Sequence, residues 1–258
     1  MFQPITARLT KRTDLTYDVS QFHFKCINPL ELDFSAGQYM LIHVPLTHGH
    51  IRRKHYSIVS SEKEKEIFEL LVQLFKGGVG SEYLRKLKIG DEVSMQGAAG
   101  VFTYKNSPRD KVFIATGTGI APIKSILTTV LNPKKQDTRN IQIQNSQFNV
   151  QNSKFYLFWG LKTAKDVYFL DDFKRLAKEN PNFTFQIFLS RQQRLKEDEV
   201  FRSGRVAAGL KELIQNSEFS VQNSDFYIAG YRDTVEALRQ WVIAHGAKPE
   251  RITFEKFV

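Results

Sequence analysis

Residues 111–122, KVFIATGTGIAP, hold the pattern that decides the architecture of this 258-residue chain. The compact apolar run that ends at Thr116 is typical of a buried strand, and Gly117 and Gly119 then permit a tight turn. Pro122 falls in the first turn of the helix that follows, where its missing amide hydrogen costs no hydrogen bond. The stretch therefore predicts a strand, a glycine turn and a helix start whose free amides can bind phosphate.

The sequence that follows this stretch alternates strand-like and helix-like segments. The strand-like runs are 155–160, 183–190, 225–230 and 251–257, and the helix-like segments include 166–179 and 233–246. Such alternation indicates a doubly wound parallel sheet with helices on both faces. We expect this α/β domain to cover residues 109–258.

Upstream of the same stretch the hydrophobic pattern has a period of two. The alternating runs are 5–11, 22–27, 38–45, 55–61, 67–75 and 91–99. They predict an antiparallel β-barrel with one helix, at 81–87, behind a cluster of glycines. A polar turn with a proline at 106–108 separates the two patterns, so we expect a two-domain chain with the barrel in residues 1–108.

Two nearly identical tracts interrupt the second domain: IQNSQFNVQNSKFY at 143–156 and IQNSEFSVQNSDFY at 214–227. Each leads directly into a predicted strand. Their bias towards Asn, Gln and Ser makes poor core material, and long surface loops cost little closure entropy. We therefore expect surface extensions, with a dedicated interaction arm as the alternative.

Composition indicates a cytoplasmic globular protein without a membrane span. No stretch approaches the roughly 20 uncharged apolar residues of a transmembrane helix, and the first residues alternate like a strand rather than forming the apolar centre of a signal peptide. Cys26 is the only cysteine, which excludes an intrachain disulfide and a four-cysteine iron–sulfur cluster within these residues.

The formal charge of +10 is concentrated in the second half of the chain. Residues 1–108 carry 14 basic and 11 acidic side chains, which gives +3, and residues 109–258 carry 23 and 16, which gives +7. A basic surface can attract nucleic acid, an acidic protein or a phosphorylated ligand. The positive charges are scattered, with 52–54 the densest run, so nucleic acid is not expected as a partner.

No metal site is expected from the sequence. His48 and His50 could present two imidazoles on one loop, but no third ligand accompanies them, so a polar turn is the better interpretation. The signatures of a hydrolase nucleophile elbow and of a zinc protease helix are also missing from the sequence.

A first candidate binding motif runs from Lys54 to Ile58. On a strand, alternate residues share a face, so Lys54, Tyr56 and Ile58 point one way while His55 and Ser57 point the other, unless the strand bends. Tyr and Ser are ordinary strand residues, and plain sheet packing is the alternative interpretation of this motif taken alone.

A second candidate motif is the glycine cluster at 77–81, ahead of the predicted helix. Glycine lets the backbone approach a ligand closely, and the free amides of a helix start can bind phosphate oxygens. The alternative is a flexible turn in which Ser81 caps the helix.

The order and spacing of these motifs resemble the ferredoxin–NADP reductase family. Tyr56-Ser57 resembles its flavin-binding Arg-x-Tyr-Ser motif, the segment 78–81 its Gly-x-x-Ser, and 115–122 its nicotinamide-domain turn. The resemblance covers nearly the whole chain apart from the two repeated tracts. It implies an FAD-binding barrel followed by an NAD(P)-binding domain.

The resemblance implies that the barrel binds FAD. In the family the tyrosine packs on the isoalloxazine, the serine hydrogen-bonds near flavin N5, and an arginine meets the pyrophosphate. Here the arginine position is Lys54, which lacks a planar guanidinium and should therefore bind the pyrophosphate less tightly. Arg52, on the same face of the strand, could add a second positive charge. The implied FAD-binding residues are Lys54, Tyr56, Ser57, Ile58, Gly78, Val79, Gly80 and Ser81.

It also implies a dinucleotide site in the second domain. In NADP-dependent relatives a Ser-Arg pair contacts the 2′-phosphate, so we expect NADPH, with NADH as the alternative; a solvated strand-end charge is the other interpretation of Arg191. Lys162 replaces a family arginine, and Ala229 replaces a family cysteine. The implied residues are Gly117, Thr118, Gly119, Pro122, Gly160, Lys162, Ser190, Arg191, Ala229 and Gly230.

The implied reaction is hydride transfer from NADPH to FAD, followed by electron release to a separate acceptor. Tyr56, Ser57, Glu255 and Phe257 are the implied catalytic residues, the last two from a terminal Glu-x-aromatic segment. The basic charge favours an acidic carrier, a ferredoxin or flavodoxin. The alternatives are a diffusible acceptor (free flavin, quinone or ferric chelate) and an electron-transfer subunit without turnover of its own.

Overall fold

The computed structural model describes residues 3–132, 153–192, 199–215 and 220–257. The chain divides into two compact units, Met1–Tyr104 with Lys124–Thr129 and Lys105–Ile123 with Val130–Val258. The segment Lys124–Thr129 groups with the first unit, although the sequence places it in the second domain. The expected domain bounds of 1–108 and 109–258 stay a prediction.

The first unit contains one antiparallel six-stranded sheet in the order β4-β3-β6-β1-β2-β5. Its strands are β1 Gln3–Asp14, β2 Val19–Asn28, β3 Tyr39–Pro45, β4 Ile51–Ser57, β5 Ile67–Gln73 and β6 Glu92–Ala99. Alternate residues point into one core, as in β6, where every second side chain is buried.

The two edge strands of this sheet meet immediately after β4. Ile58 forms a bridge with Leu70, and the Val59 amide donates to the Glu69 carbonyl at 2.8 Å. The sheet thus curls upon itself around a core that includes Phe22, and the predicted antiparallel barrel is confirmed.

The helix of the first unit, α1 Val79–Lys86, begins two residues earlier than predicted. Gly78 is its N-cap, and no side chain caps the helix. The interpretation of Ser81 as the cap is wrong, because Ser81 lies inside the first turn and its hydroxyl accepts a hydrogen bond from the Phe75 amide at 3.0 Å. The free amides of the helix start therefore belong to residues 79–81.

The second unit contains a six-stranded sheet, parallel throughout, in the order β10-β9-β8-β7-β11-β12. Its strands are β7 Asp110–Thr116, β8 Phe155–Leu161, β9 Phe183–Leu189, β10 Phe201–Ser203, β11 Ser224–Tyr231 and β12 Ile252–Phe257. Its helices are α3 Leu170–Glu179, α4 Val206–Gln215 and α5 Arg232–Ala244, together with the two ends of α2 Ile120–Leu131, whose middle, Lys124–Thr129, groups with the first unit. The predicted parallel α/β sheet is confirmed.

Strand order reverses at β7, which lies between β8 on one side and β11 on the other. In doubly wound sheets, ligands bind outside the carboxyl ends of the strands at such a reversal. The carboxyl ends of β7 and β11 hold 116–119 and 229–231, which are the segments that the sequence predicts to bind a dinucleotide.

One local expectation about the second unit is corrected, and two elements were missed. The helix expected over 166–179 begins only at Leu170, because Phe169 before it has a left-handed backbone with φ of 59°. Strand β10 and helix α4 were not predicted. With three residues β10 is too short to show a period, and α4 carries Gly209 in its interior, where a Cβ would overlap the Phe188 ring.

The structure describes only part of each of the two repeated tracts. Most of the first copy, and residues 216–219 of the second, lie outside the described residues. In the rest of the second copy Val221, Ser224 and Asp225 are buried, so that part is not a surface extension. Asp225 accepts from Arg109 at 2.8 Å and lies 3.3 Å from the fully buried Lys111 ammonium.

Candidate functional site

Helix α1 begins directly against the side chains of β4 in the first unit. A Cβ at Gly80 would overlap the Tyr56 hydroxyl and lie 3.0 Å from Lys54 Cγ, so only glycine fits there. Burial raises the pKa of Tyr56 to about 12. Lys54, Tyr56 and the helix start are therefore neighbours, as the alternation of β4 predicts.

This arrangement forms an anion-binding cradle. The first amides of α1 belong to Val79, Gly80 and Ser81, and within the described residues no side chain caps them. Gly77 turns the chain into the helix with φ of +74°. A helix start with free amides beside a half-buried lysine suits a pyrophosphate, so these residues fit the phosphate end of FAD.

The other residues expected to bind the flavin have different surroundings. Ser57 is 6% exposed, and its hydroxyl makes no hydrogen bond to the described residues, which leaves it available to a ligand. Ile58 is fully buried in the barrel core, so a ligand can reach only its backbone. By register Arg52 pairs with inward-facing Val44 and shares the face of Lys54.

In the second unit, glycines interlock the ends of β7 and β11. A Cβ at Gly119 would overlap the Ala229 carbonyl oxygen, and a Cβ at Gly230 would overlap Thr116 Oγ1. The Tyr231 amide donates to the same Thr116 oxygen at 3.3 Å. The turn after β7 and the end of β11 are thus in direct contact, as the close packing of strand and helix in dinucleotide-binding folds requires. Sequence reasoning did not single out Thr116, whose signal was its position as the last strand residue before the glycine turn.

The ends of β8 and β9 are tied to each other beside this point. The Ser190 amide and hydroxyl both donate to the Leu161 carbonyl, at 3.0 and 3.2 Å, and the Arg191 amide donates to the Lys162 carbonyl at 2.9 Å. The Ser190 hydroxyl hydrogen is thus already engaged. The side chains of Lys162 and Arg191 are exposed and make no ion pair within the described residues, while a Cβ at Gly160 would meet only ordinary contacts.

The last strand holds a carboxyl group with an unusual pKa. Glu255 lies in β12, paired with Ala229, and Phe257 is paired with Tyr231. The Glu255 Oε2 atom is buried and has no hydrogen-bond partner among the described residues. Burial raises the pKa of Glu255 to about 7. Near neutral pH this carboxyl can therefore hold or release a proton.

Neither a metal cluster nor a membrane-spanning helix is found in the residues described. No group of three or more His, Cys, Asp or Glu there could hold a metal ion. Thr47–Gly49, which includes one of the two loop histidines, forms an exposed single turn. Every described helix is too short or too polar to cross a bilayer.

Comparison with known families assigns both units. Residues 6–104 match the model of an oxidoreductase FAD-binding domain, and residues 113–240 match that of an oxidoreductase NAD-binding domain. The chain is thus an FAD- and NAD(P)-binding oxidoreductase.

Among curated proteins, the chain is 30% identical to ferredoxin–NADP reductase B of Sorangium cellulosum, over 73% of this chain and 71% of that protein. It is 26% identical to the propane 2-monooxygenase reductase component of Mycolicibacterium smegmatis, over 94% of this chain but only 64% of that protein. The chain therefore belongs to the ferredoxin–NADP reductase family, and it spans about two thirds of the reductase component.

Solved structures have the same fold. The Amycolatopsis cytochrome P450 reductase GcoB superposes with a TM-score of 0.81 at 26% identity, over 99% of this chain and 70% of that one. A ferredoxin–NADP⁺ reductase from Neisseria gonorrhoeae superposes with a TM-score of 0.79 at 21% identity, over 99% of both chains.

We predict that Gly80→Ala weakens FAD binding by about tenfold or more, because the new Cβ overlaps the Tyr56 hydroxyl and displaces the helix start from the phosphate. Titration of the apoprotein with FAD, followed by flavin fluorescence, measures the change. Adding Tyr56→Phe removes the overlapping oxygen and should recover part of the affinity in the double variant. Wild-type affinity in Gly80→Ala would show that this helix start does not hold the cofactor.

We predict that Glu255→Gln removes a pH dependence of stability. The pKa is raised from 4.5 to about 7 on folding, so between these values the unfolded chain ionises while the folded carboxyl stays protonated. Wild-type stability should therefore fall relative to the variant as pH rises from 4.5 to 7, by on the order of 1–3 kcal/mol, and then level off. Thermal melts at half-unit pH steps test this, and parallel profiles for the two proteins would contradict it.

Proposed function

We propose that this chain takes a hydride from NADPH onto bound FAD and passes the electrons to an acidic carrier protein, a ferredoxin or flavodoxin. The observation that supports the proposal is the presence, in one chain, of two glycine-lined turns at helix starts, the kind of element that suits phosphate. One lies at residues 78–81 against Tyr56, and the other lies where Gly119 and Gly230 interlock β7 and β11. A cytoplasmic location goes with this proposal.

When bound, the two cofactors would supply the redox chemistry, a hydride transfer from nicotinamide to flavin followed by electron release. The chain's task is to hold and orient the rings. We assign ring packing to Tyr56 and Phe257, a hydrogen bond near N5 to Ser57, and phosphate charge compensation to Lys54. Glu255, with its pKa near 7, is assigned a proton-holding role.

A direct test of this function is anaerobic addition of NADPH to the purified protein. A yellow protein that bleaches on addition supports the proposal. Colour without bleaching would indicate an electron-transfer subunit without turnover, and the replacement of a family cysteine by Ala229 is the feature that favours this alternative. A colourless protein that cannot be loaded with FAD would overturn the proposal.

Preference for NADPH over NADH rests on Arg191. The exposed Ser190 hydroxyl donates to the Leu161 carbonyl at 3.2 Å, so it would have to rotate before it could donate to a ligand. Arg191 is exposed at the carboxyl end of β9, where a guanidinium can form paired hydrogen bonds with a 2′-phosphate. We therefore assign the larger part of any selectivity for the 2′-phosphate to Arg191.

We predict that Arg191→Ala raises KM for NADPH about tenfold or more and leaves KM for NADH nearly unchanged, because only NADPH carries the 2′-phosphate. Steady-state kinetics with both nucleotides and a small acceptor measure the ratio. Arg175→Ala removes an equally exposed arginine, paired with Asp172 on α3, and serves as the control. An equal loss with both nucleotides would mean that Arg191 does not read the 2′-phosphate.

The nature of the acceptor is inferred from charge. The chain carries +10 overall, and β4 exposes Arg52 and Arg53, which make no ion pair within the described residues. Opposite charges accelerate the association of redox partners. Reductases of ferredoxin and of oxygenase components are among the relatives, which is consistent with a protein acceptor. A diffusible quinone, flavin or ferric chelate is the competing acceptor.

We predict that electron transfer from the prereduced protein to an acidic ferredoxin slows about tenfold between low and 0.5 M salt, because screening removes the attraction. Transfer to an uncharged quinone should barely change. Stopped-flow mixing of prereduced enzyme excludes any effect of salt on nucleotide binding.

Matched charge variants then locate the effect. Arg52→Gln with Arg53→Gln should slow the ferredoxin reaction and flatten its salt profile, whereas Lys165→Gln with Lys178→Gln removes the same charge from the second unit and should not. A flat salt profile in the wild-type protein would assign the reaction to a diffusible acceptor.

A further inference from the structure

The carbonyl of Gly117, in the turn between β7 and α2, accepts hydrogen bonds from two aromatic side chains. Trp159 Nε1 donates to it at 3.0 Å, and the Tyr168 hydroxyl donates to it at 3.3 Å. Trp159 is fully buried and Tyr168 is 6% exposed. Their rings meet edge to face with centroids 4.9 Å apart, so the two donors form one rigid pair.

Hydrogen bonding, rather than packing, sets the orientation of this peptide. Gly117 has a φ of +52°, and a Cβ placed there would meet nothing within 4 Å. Gly119 and Gly230, in contrast, are held by backbone and side-chain atoms where a Cβ would lie. Glycine also has no side chain of its own with which packing could hold its backbone. The first residue of the turn is therefore fixed by what its carbonyl binds.

The direction of the carbonyl decides the direction of the next amide. In a trans peptide the C=O and the following N–H point in opposite directions. With the Gly117 oxygen held towards the two rings, the Thr118 N–H points away from them. The Ile120 amide, shared between the Gly117 and Thr118 carbonyls, closes the turn from within.

Local backbone strain accompanies Tyr168. Phe169, the next residue, has a φ of 59°, a conformation that a bulky residue rarely adopts. Its ring packs edge to face on Tyr168 at 5.1 Å, and Trp159 packs on Phe173 at 6.1 Å. A strained residue persists only where its surroundings hold it, and these contacts hold the tyrosine beneath the turn.

We propose that Trp159 and Tyr168 are positioning residues for nicotinamide-dinucleotide binding. By fixing the Gly117 carbonyl they preorganise the turn 117–119, so that its outward amide meets the pyrophosphate without prior reorganisation. Neither side chain touches the ligand. The inference rests on the assignment of this turn to the dinucleotide.

The test uses Trp159→Phe, Tyr168→Phe and the double variant in the FAD-loaded protein. Each single change keeps a ring but removes one donor, so Kd for NADP⁺ or NAD⁺, measured by flavin difference spectra, should rise about 2- to 10-fold. The double variant should lose more than the product of the two, because it leaves the Gly117 carbonyl with only the shared Ile120 amide, whereas each single variant keeps one aromatic donor beside it. KM should rise with Kd while kcat stays nearly constant.

Matched controls are available at the other end of the unit. Tyr227→Phe removes a buried hydroxyl that accepts from the Lys105 amide at 2.8 Å, and Trp241→Phe replaces the second of the chain's two tryptophans, stacked on His245. Both should leave dinucleotide Kd unchanged. The FAD content of all variants and their electron transfer after dithionite reduction should match wild type.

Two results would overturn the proposal. Unchanged dinucleotide Kd in the double variant, with lowered thermal stability, would show that the bonds only support the fold. Equal Kd losses in Tyr227→Phe would show a general effect of buried tyrosine hydroxyls. If wild-type protein itself bound no dinucleotide, the assignment of the turn would fail instead, and that outcome is visible before any variant is made.

Discussion

The close approach of β7 to β11 at their carboxyl ends is the constraint on which the second unit depends. Gly119 and Gly230 each occupy space where a Cβ would overlap a neighbouring oxygen, so any other residue would separate the strand ends. The strand order reverses at the same place, and the reversal opens the crevice in which such sheets bind ligands. The glycines that allow this close approach therefore lie at the same place as the crevice in which we propose that the dinucleotide binds.

The first unit uses the same device for a different element. Gly80 lets α1 begin against Tyr56 and Lys54, and the missing side-chain cap leaves amides 79–81 free. An unfilled helix start costs stability that a serine or aspartate cap would add, roughly 1 kcal/mol. On the proposed assignment, the FAD pyrophosphate would supply the missing acceptors. FAD binding would then stabilise the first unit as well as occupy it.

The architecture could be predicted because most strands and helices show their own hydrophobic periodicity in the sequence. Alternation placed the barrel strands, and the run 111–122 placed the first strand, turn and helix of the second unit. Local reasoning failed where tertiary contacts decide: Phe169 delays α3 by adopting a left-handed backbone, and Gly209 sits inside α4 because of the Phe188 ring. The bond that engages the Ser190 hydroxyl joins separate strand ends, and no spacing in the sequence predicts it.

The candidate site residues fall into two groups, glycines that neighbouring atoms confine and charged residues that they do not. The two groups differ in which substitutions they can tolerate. Glycines confined by neighbouring atoms cannot change, whereas Lys54 and Lys162 stand where the resemblance implies arginine. Lys162 is exposed just after β8, and Lys54 is half-buried in the edge strand β4. A lysine keeps the charge there while giving up paired hydrogen bonds. A position that needs only a positive charge can therefore hold either arginine or lysine, whereas a position of close backbone approach must stay glycine.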